Sequence, residues 1–121
     1  MQEIKFQIDA SKALGDLRRF SAEKLRKADD AIMNAAFYLE GEVKLSIAGQ
    51  RAENKSVDTG KFMQSVKGTR EKRFAASVSS DVNYAKFLEF GTSKMGPRAH
   101  FRNSLARSKD RIIRFIGDSV K

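Results

Sequence analysis

The chain has 121 residues, the size of a single domain, and contains no cysteine, which excludes disulfide scaffolds, thiolate metal sites and cysteine nucleophiles. Its 24 Lys and Arg residues outnumber 15 acidic ones, and the formal net charge of +9 favours contact with nucleic acid, an anionic membrane or an acidic protein. No apolar run reaches the ~20 residues that span a bilayer, and the charged N-terminal segment differs from a signal peptide. We therefore expect a soluble chain, made in the cytoplasm, with no membrane partner.

The first half of the chain predicts a strand and then one long helix. Apolar and polar residues alternate over 4–8, which is typical of a strand with one buried face, and Asp9 or Ser11 is a candidate cap for a brief helix through Leu17. A helix from about Ala22 to Ala48, capped by Ser21, is predicted by apolar residues that recur by threes and fours. At roughly 40 Å it is longer than a compact domain of this size needs, so we expect it to project or to line an interface.

A second apolar patch lies beside the main stripe of this helix, at Met33, Ala36 and Phe37. One interpretation is a surface that packs on a neighbouring subunit, and the other is a broad core face. Both remain open, and Met33 and Phe37 are candidate interface residues.

The middle of the chain predicts a loop and a hairpin. Residues 49–56 are polar and aperiodic, which is typical of an exposed and mobile loop. Turn-forming residues at 58–60 precede an apolar segment that we expect to begin as a helical turn and to continue as a strand. A charged turn at 70–72 then favours a hairpin in which 65–70 pairs with 73–80.

The stretch from Asn83 to Phe101, NYAKFLEFGTSKMGPRAHF, carries the strongest functional signal. Four large apolar residues surround one carboxylate, Glu89, but their spacing fits a helix and a strand equally well. Gly91 ends this segment, and a polar loop of about 91–98 follows. Pro97 suits the first turn of a C-terminal helix, whose apolar positions are Phe101, Leu105, Ile112 and Ile116.

Few residues of the sequence are candidates for catalysis or for binding a metal or cofactor. His100 is the only histidine, and we expect it to pack beside Phe101 at the start of a helix. The carboxylate pairs on the long helix are not spaced to hold one ion, so the sequence predicts no catalytic, metal or cofactor-binding residue. Glu89 lies between two apolar residues and needs a partner, for which we expect an arginine such as Arg98, from the same chain or from a neighbour.

Two stretches together resemble a known protein family. Val57–Val66, VDTGKFMQSV, is similar to the family's opening of Thr-Gly, an apolar residue, Ser and an apolar residue, and 83–101 is similar to its signature of Tyr-Ala, Glu-Phe-Gly-Thr-Ser-Lys-Met, Pro and Phe. The family is the tail-component family of tailed phages and prophages, whose members are called head-tail joining, neck, tail-completion or minor tail proteins. This chain has His100 where the family usually has a proline before the last aromatic residue. The matching residues are Thr59, Gly60, Ser65, Tyr84, Ala85, Glu89, Phe90, Gly91, Thr92 and Phe101.

The resemblance implies an α+β fold, with a small antiparallel sheet packed against one long helix and a C-terminal helix, in a single domain over 1–121. It implies a non-enzymatic virion protein of the neck or tail that assembles in the host cytoplasm as a ring, with six subunits as the suggested number. Its partners would be itself and neighbouring connector or tail proteins, and DNA would only pass through.

The resemblance also implies roles for individual residues. Tyr84, Phe87 and Phe90 would anchor their segment in the subunit, and the segment from Thr92 to Arg98 would be an arm that reaches a neighbour. The expected interface residues are Thr92, Ser93, Lys94, Met95, Arg98, Glu89, Met33 and Phe37.

The alternative function is that of a small basic nucleic-acid-binding protein. It is favoured by the net charge and by a cation-rich C-terminal third, although no helix-turn-helix, zinc or aromatic ribonucleoprotein motif is present. In a ring that passes DNA, we expect this basic face outside the bore or against an acidic partner, because phosphate contacts would retard the strand. The cations are Arg98, Arg102, Arg107, Lys109, Arg111 and Arg114.

Overall fold

The structure is a computed structural model that describes residues 3–56 and 60–121, so Val57, Asp58 and Thr59 of the first motif lie outside the described residues. The predicted α+β class is confirmed: a three-stranded antiparallel sheet packs on one long helix, which the C-terminal helix contacts. The elements are β1 (Ile4–Asp9), α1 (Ser11–Leu14), a 3₁₀ turn (Leu17–Arg19), α2 (Ala22–Ile47), α3 (Lys61–Ser65), β2 (Lys67–Lys72), β3 (Ala75–Ser80), α4 (Ala85–Phe90) and α5 (His100–Ser119).

The sheet has the order β1-β3-β2, with β3 antiparallel to both neighbours. Phe6 and Gly68 both lie opposite Val78, so the alternation predicted for the first strand sets one apolar face against the helices. The predicted pairing of the two hairpin strands is confirmed, but the predicted turn at 70–72 is wrong. Strand β2 continues to Lys72, and the chain turns at Arg73 and Phe74, where Phe74 takes a left-handed φ of 65°. Strand β2 also begins two residues later than expected. The reason is the helical turn α3, which the sequence also predicts and which follows Gly60, whose φ is 82°.

Helix α2 forms the centre of the fold. The Ser21 hydroxyl accepts a hydrogen bond from the backbone N–H of Lys24 at 3.2 Å, so the predicted cap is confirmed, and the helix ends one residue before the predicted boundary. Its apolar stripe is buried between the sheet and α5. The first turn of α5 reaches the sheet as well, because Phe101 stacks on Phe6 with ring centroids 5.7 Å apart.

Two carboxylates of α2 fasten the hairpin to the helix. Asp29 accepts hydrogen bonds from the backbone N–H of Phe74 at 3.0 Å and from the Arg70 side chain. Glu40, three turns further along, accepts one from the backbone N–H of Gly68 at 2.7 Å. This N–H belongs to an edge strand and would otherwise be available to another chain, so Glu40 also protects the edge.

Two sequence predictions about helix ends are wrong. The brief helix ends at Leu14, because Gly15 adopts φ of 71°, and Leu17 falls in the separate 3₁₀ turn. Helix α5 begins at His100 and not at Pro97, because Ala99 between them takes a left-handed conformation with φ of 51°. The ambiguous segment before Gly91 is a helix, α4.

We predict that Asp29→Asn lowers the free energy of unfolding by about 1–3 kcal/mol, because a charged acceptor shared by two donors is lost. Asp30→Asn is the matched control: this neighbouring carboxylate is exposed, and its removal should change stability by less than about 0.5 kcal/mol. Urea unfolding of both variants measures the difference, and equal stabilities would contradict the fastening role.

Candidate assembly surface

Helix α4 exposes its aromatic residues and buries its carboxylate. Phe87 and Phe90 are 52% and 50% exposed and Tyr84 is 37% exposed, whereas Ala85 and Glu89 are buried. The three aromatic residues recur every third position, so they share one face of the helix. The prediction that Phe87 and Phe90 anchor this segment in its own subunit is therefore wrong. Tyr84, the third predicted anchor of the segment, is exposed but contacts the Phe62 ring, with ring centroids 5.9 Å apart.

The buried carboxylate replaces a missing helix cap. Residue Ala99, which precedes α5, makes no side-chain cap hydrogen bond. Glu89 Oε1 instead accepts from the backbone N–H of Phe101 at 2.8 Å, and Oε2 accepts from that of Arg102 at 2.9 Å. The first N–H groups of a helix have no intrahelical partner and carry partial positive charge, so an anion is stabilised there. This contact fixes which face of α4 turns inward.

Arg102 completes the environment of Glu89. Its Nε donates to Oε2 at 3.0 Å, its Nη2 donates to the Glu89 carbonyl at 2.6 Å, and its guanidinium lies 4.8 Å from the centroid of the Phe90 ring. The expected arginine partner thus exists, but the choice of Arg98 is wrong. Arg98 precedes α5 and contacts the 49–56 loop instead. Its Nη1 donates to the carbonyl of Lys55 at 2.7 Å and to Ser56 Oγ at 2.9 Å.

The predicted arm at 91–98 is a closed turn in the described structure. Gly91 has φ of 80°, and a Cβ there would meet the Met95 carbonyl oxygen at 2.8 Å, so only glycine fits. The backbone N–H of Thr92 donates to Met95 at 2.8 Å, while Thr92 Oγ1 accepts from the backbone N–H of Lys94 at 3.2 Å. Ser93 and Lys94 are exposed at its tip, and contact with a neighbouring subunit stays a prediction.

His100 is fully buried between two serine hydroxyls. Its Nδ1 lies 2.7 Å from Ser46 Oγ, and its Nε2 lies 2.7 Å from Ser56 Oγ. Ser46 donates its only hydroxyl proton to Glu53 at 2.5 Å, so Nδ1 must carry a proton and donate to Ser46. Nε2 then accepts from Ser56 in the neutral ring. Burial lowers the pKa of His100, which favours this neutral form.

Glu53 ties the 49–56 loop to α5. Arg107 donates to both carboxylate oxygens, at 2.6 and 2.8 Å, and Asn103 Nδ2 donates at 3.1 Å. These hydrogen bonds, with that from Ser46, hold the pKa of Glu53 down at about 2, and its side chain is only 3% exposed. The sequence predicted an exposed polar loop and did not identify Glu53, whose partners on α5 are about fifty residues away.

Described residues of the two motif stretches meet around Phe62. Its ring centroid lies 5.9 Å from that of Tyr84, 6.0 Å from that of His100 and 6.5 Å from that of Phe101. Ser65 lies in the same region, with its hydroxyl 2.6 Å from that of Ser80. The motif residues that the structure describes therefore form one corner of the molecule, and His100 packs beside Phe101 at the start of a helix, as predicted.

Met33 and Phe37 lie elsewhere, on the side of α2 that faces β2. Phe37 is 52% exposed, and a Cβ at Gly68 of β2 would lie 3.4 Å from its ring. Met33 is half-buried and packs against the core. The structure therefore does not bring these two residues together with Glu89 and the turn at 92–98, and their contact with another subunit remains a prediction.

The described residues contain no group of three His, Asp or Glu side chains arranged to hold a metal ion. Within the same ranges, no helix combines the length and apolar character needed to cross a membrane. Comparison of the chain with protein-family models, curated proteins and solved structures found no match.

Stability should fall when the pH is lowered from 7.5 to 5.5, because of His100. Its folded pKa lies below the ordinary value of 6.5, so below that pH the unfolded chain binds a proton that the folded chain resists. The loss approaches at most ~1.4 kcal/mol per pH unit. The charged groups that face the ring are Glu89, Glu53 and Arg98, all already paired or hydrogen-bonded.

The control for this prediction is His100→Asn, which lacks the titrating ring. Urea unfolding of this variant should show a much smaller change between pH 7.5 and 5.5. Both proteins should lose stability between pH 4.5 and about 2, where the lowered pKa of Glu53 acts. Equal slopes for the two proteins between pH 7.5 and 5.5 would contradict the assignment.

Proposed function

We propose that this chain is a non-enzymatic structural protein of a tailed phage or prophage, which joins head to tail by assembling with copies of itself and with neighbouring virion proteins. The choice of this protein family rests on the resemblance of the two motif stretches to it. The observation that carries the proposal is helix α4, which is held against α5 by Glu89 while it presents Phe87 and Phe90 to its surroundings.

An aromatic pair fixed in this way suits a protein contact. Burying the exposed half of each ring would contribute on the order of 1 kcal/mol. Aromatic residues are enriched among the side chains that dominate interface energies. Because the Glu89 contact already orders the helix, binding would lose little conformational entropy there.

The titratable groups of the same corner support a structural role. Glu89 accepts hydrogen bonds from backbone N–H groups and from Arg102, and Glu53 accepts them from Arg107. His100 lies between two serine hydroxyls. A general base needs to reach a substrate proton, and these groups are already committed to neighbours within the chain.

The alternative function, nucleic-acid binding, is favoured by the cations of the C-terminal third, and two of these cations are paired within the chain. Arg102 pairs with Glu89, and Arg107 pairs with Glu53, so these two cations of the C-terminal helix are neutralised by carboxylates. Phosphate binding draws its strength from cations whose counterions are released, so pairing within the chain reduces that contribution.

The test is a double replacement, Phe87→Ser with Phe90→Ser, in a phage or prophage that carries this gene. The titre of infectious particles should fall at least about tenfold, because an apolar contact of two rings is lost. Electron micrographs should show DNA-filled heads and separate tails. Both rings are half-exposed, so the purified variant should stay within about 1 kcal/mol of the original stability.

Ile113→Ser is the matched control, since Ile113 is 58% exposed and lies about 20 Å along α5 from its start. Its titre should change by less than about twofold. A normal titre for the stable double variant would exclude α4 as the contact, and a normal titre after deletion of the gene would contradict the proposed function.

A further inference from the structure

Helix α2 carries a second, outward-facing stripe beside α5. Its members, Asn34, Tyr38, Gly41 and Leu45, are separated by four, three and four residues, which is the spacing of a coiled-coil seam. Tyr38 is 37% exposed and Leu45 is 38% exposed. An open groove of about 250 Å³ lies between the first half of this stripe and α5, and Gly41 and Leu45 continue the stripe beyond it. The groove is lined by Asn34, Ala35, Tyr38, Arg111, Ile112 and Phe115.

The middle of this stripe has no side chain, because the residue there is Gly41. A Cβ built at this position would meet no atom within 4 Å, so the chain's own fold does not require glycine there. Glycine in a helix interior is less favourable than alanine, so the position carries a cost that no internal packing offsets. A small residue in a seam allows the axis of another helix to approach closely.

One cation, Arg111, lies at the rim of the groove, and Asp118, which lines the adjoining pocket with Arg111, is paired with Lys121 at 3.1 Å. Arg111 lies with its guanidinium 5.6 Å from the centroid of the Tyr38 ring, and its Nη1 donates to the Tyr38 hydroxyl at 3.2 Å. The nearby carboxylate of Glu42 forms a salt bridge with Arg51, whose Nη2 lies 3.0 Å from Oε2. Phe115, beside Arg111, is 47% exposed. The groove therefore favours an occupant that combines apolar side chains with acidic ones.

We propose that the α2–α5 groove binds an amphipathic helix of a neighbouring protein, with apolar residues at heptad spacing and Asp or Glu beside them. The inference rests on the proposed function and deepens it, because it states the chemistry of one assembly partner. A second copy of this chain fits this groove less well, since its 24 Lys and Arg residues against 15 acidic ones offer fewer carboxylates to Arg111 than an acidic helix does.

The variant Gly41→Leu distinguishes a role of this position in binding a partner helix from a role in the stability of the chain itself. Leucine would occupy the seam without meeting any atom of the chain near its Cβ, and it is a better helix former than glycine. The unfolding midpoint should therefore stay unchanged or rise by up to about 5 °C. A loss of binding by this variant cannot be attributed to unfolding.

The probe is a three-heptad synthetic peptide with Leu at the seam positions and Glu beside them, used at concentrations where it is monomeric. Its twin carries Lys in place of every Glu. Fluorescence anisotropy should show binding of the Glu peptide with a Kd in the micromolar range, and binding of the Lys peptide at least about tenfold weaker. Gly41→Leu and Phe115→Ser should each weaken the Glu peptide at least about tenfold, and Ile113→Ser should not.

The proposal is overturned by equal binding of the two peptides, by no binding of the Glu peptide at about 1 mM, or by an unchanged Kd for Gly41→Leu. Displacement of the Glu peptide by duplex DNA, or loss of a homo-oligomer in Gly41→Leu, would also overturn the stated occupant. Failure of the proposed function is distinguishable, because a phage that tolerates deletion of the gene contradicts that function and leaves the peptide result unaffected.

Discussion

The corner of the molecule that contains the described residues of both motif stretches depends on one contact, between the Glu89 carboxylate and the start of α5, which lacks a side-chain cap of its own. The fully buried carboxylate accepts from two backbone N–H groups and from Arg102. Leaving any of these groups unpaired in the interior would cost several kcal/mol, so α4 has one favourable rotation about its axis. That rotation turns Phe87 and Phe90 outward and requires the chain to return from Gly91 through a tight turn.

A second polar cluster fixes the 49–56 loop to the same helix. Its hydrogen bonds run from Arg98 through Ser56 and His100 to Ser46 and then to Glu53, with each donor matched to an acceptor. Among the described residues, no buried side-chain nitrogen or oxygen lacks a partner. Fully satisfied polar networks of this kind specify a unique arrangement, since any rearrangement leaves a buried group unpaired. The first turns of α5 therefore hold α4 and both loops in a fixed relation.

Periodicity predicted most of the fold, because apolar spacing is a local property. The extent of α2 to within one residue and the pairing of β2 with β3 follow from it. The cap follows instead from the hydroxyl of Ser21, and the predicted position of the hairpin turn is wrong. The rotation of α4 did not follow from periodicity, because the spacing of its apolar residues does not reveal that a carboxylate is needed inside. The available signals were a lone Glu between Leu88 and Phe90 and the lack of a capping residue before His100. Glu53 had no local signal at all, because its partners come from distant positions.

Native-state hydrogen exchange of the Phe101 and Arg102 amides, followed by NMR, tests the Glu89 contact most directly. In a helix capped only by solvent, these first N–H groups would exchange almost as fast as exposed amides, since they have no intrahelical acceptor. If Glu89 caps α5, both amides should open only with a free energy close to that of global unfolding, and Glu89→Ala should remove this protection. Fast exchange of both amides in the unsubstituted protein would contradict the account.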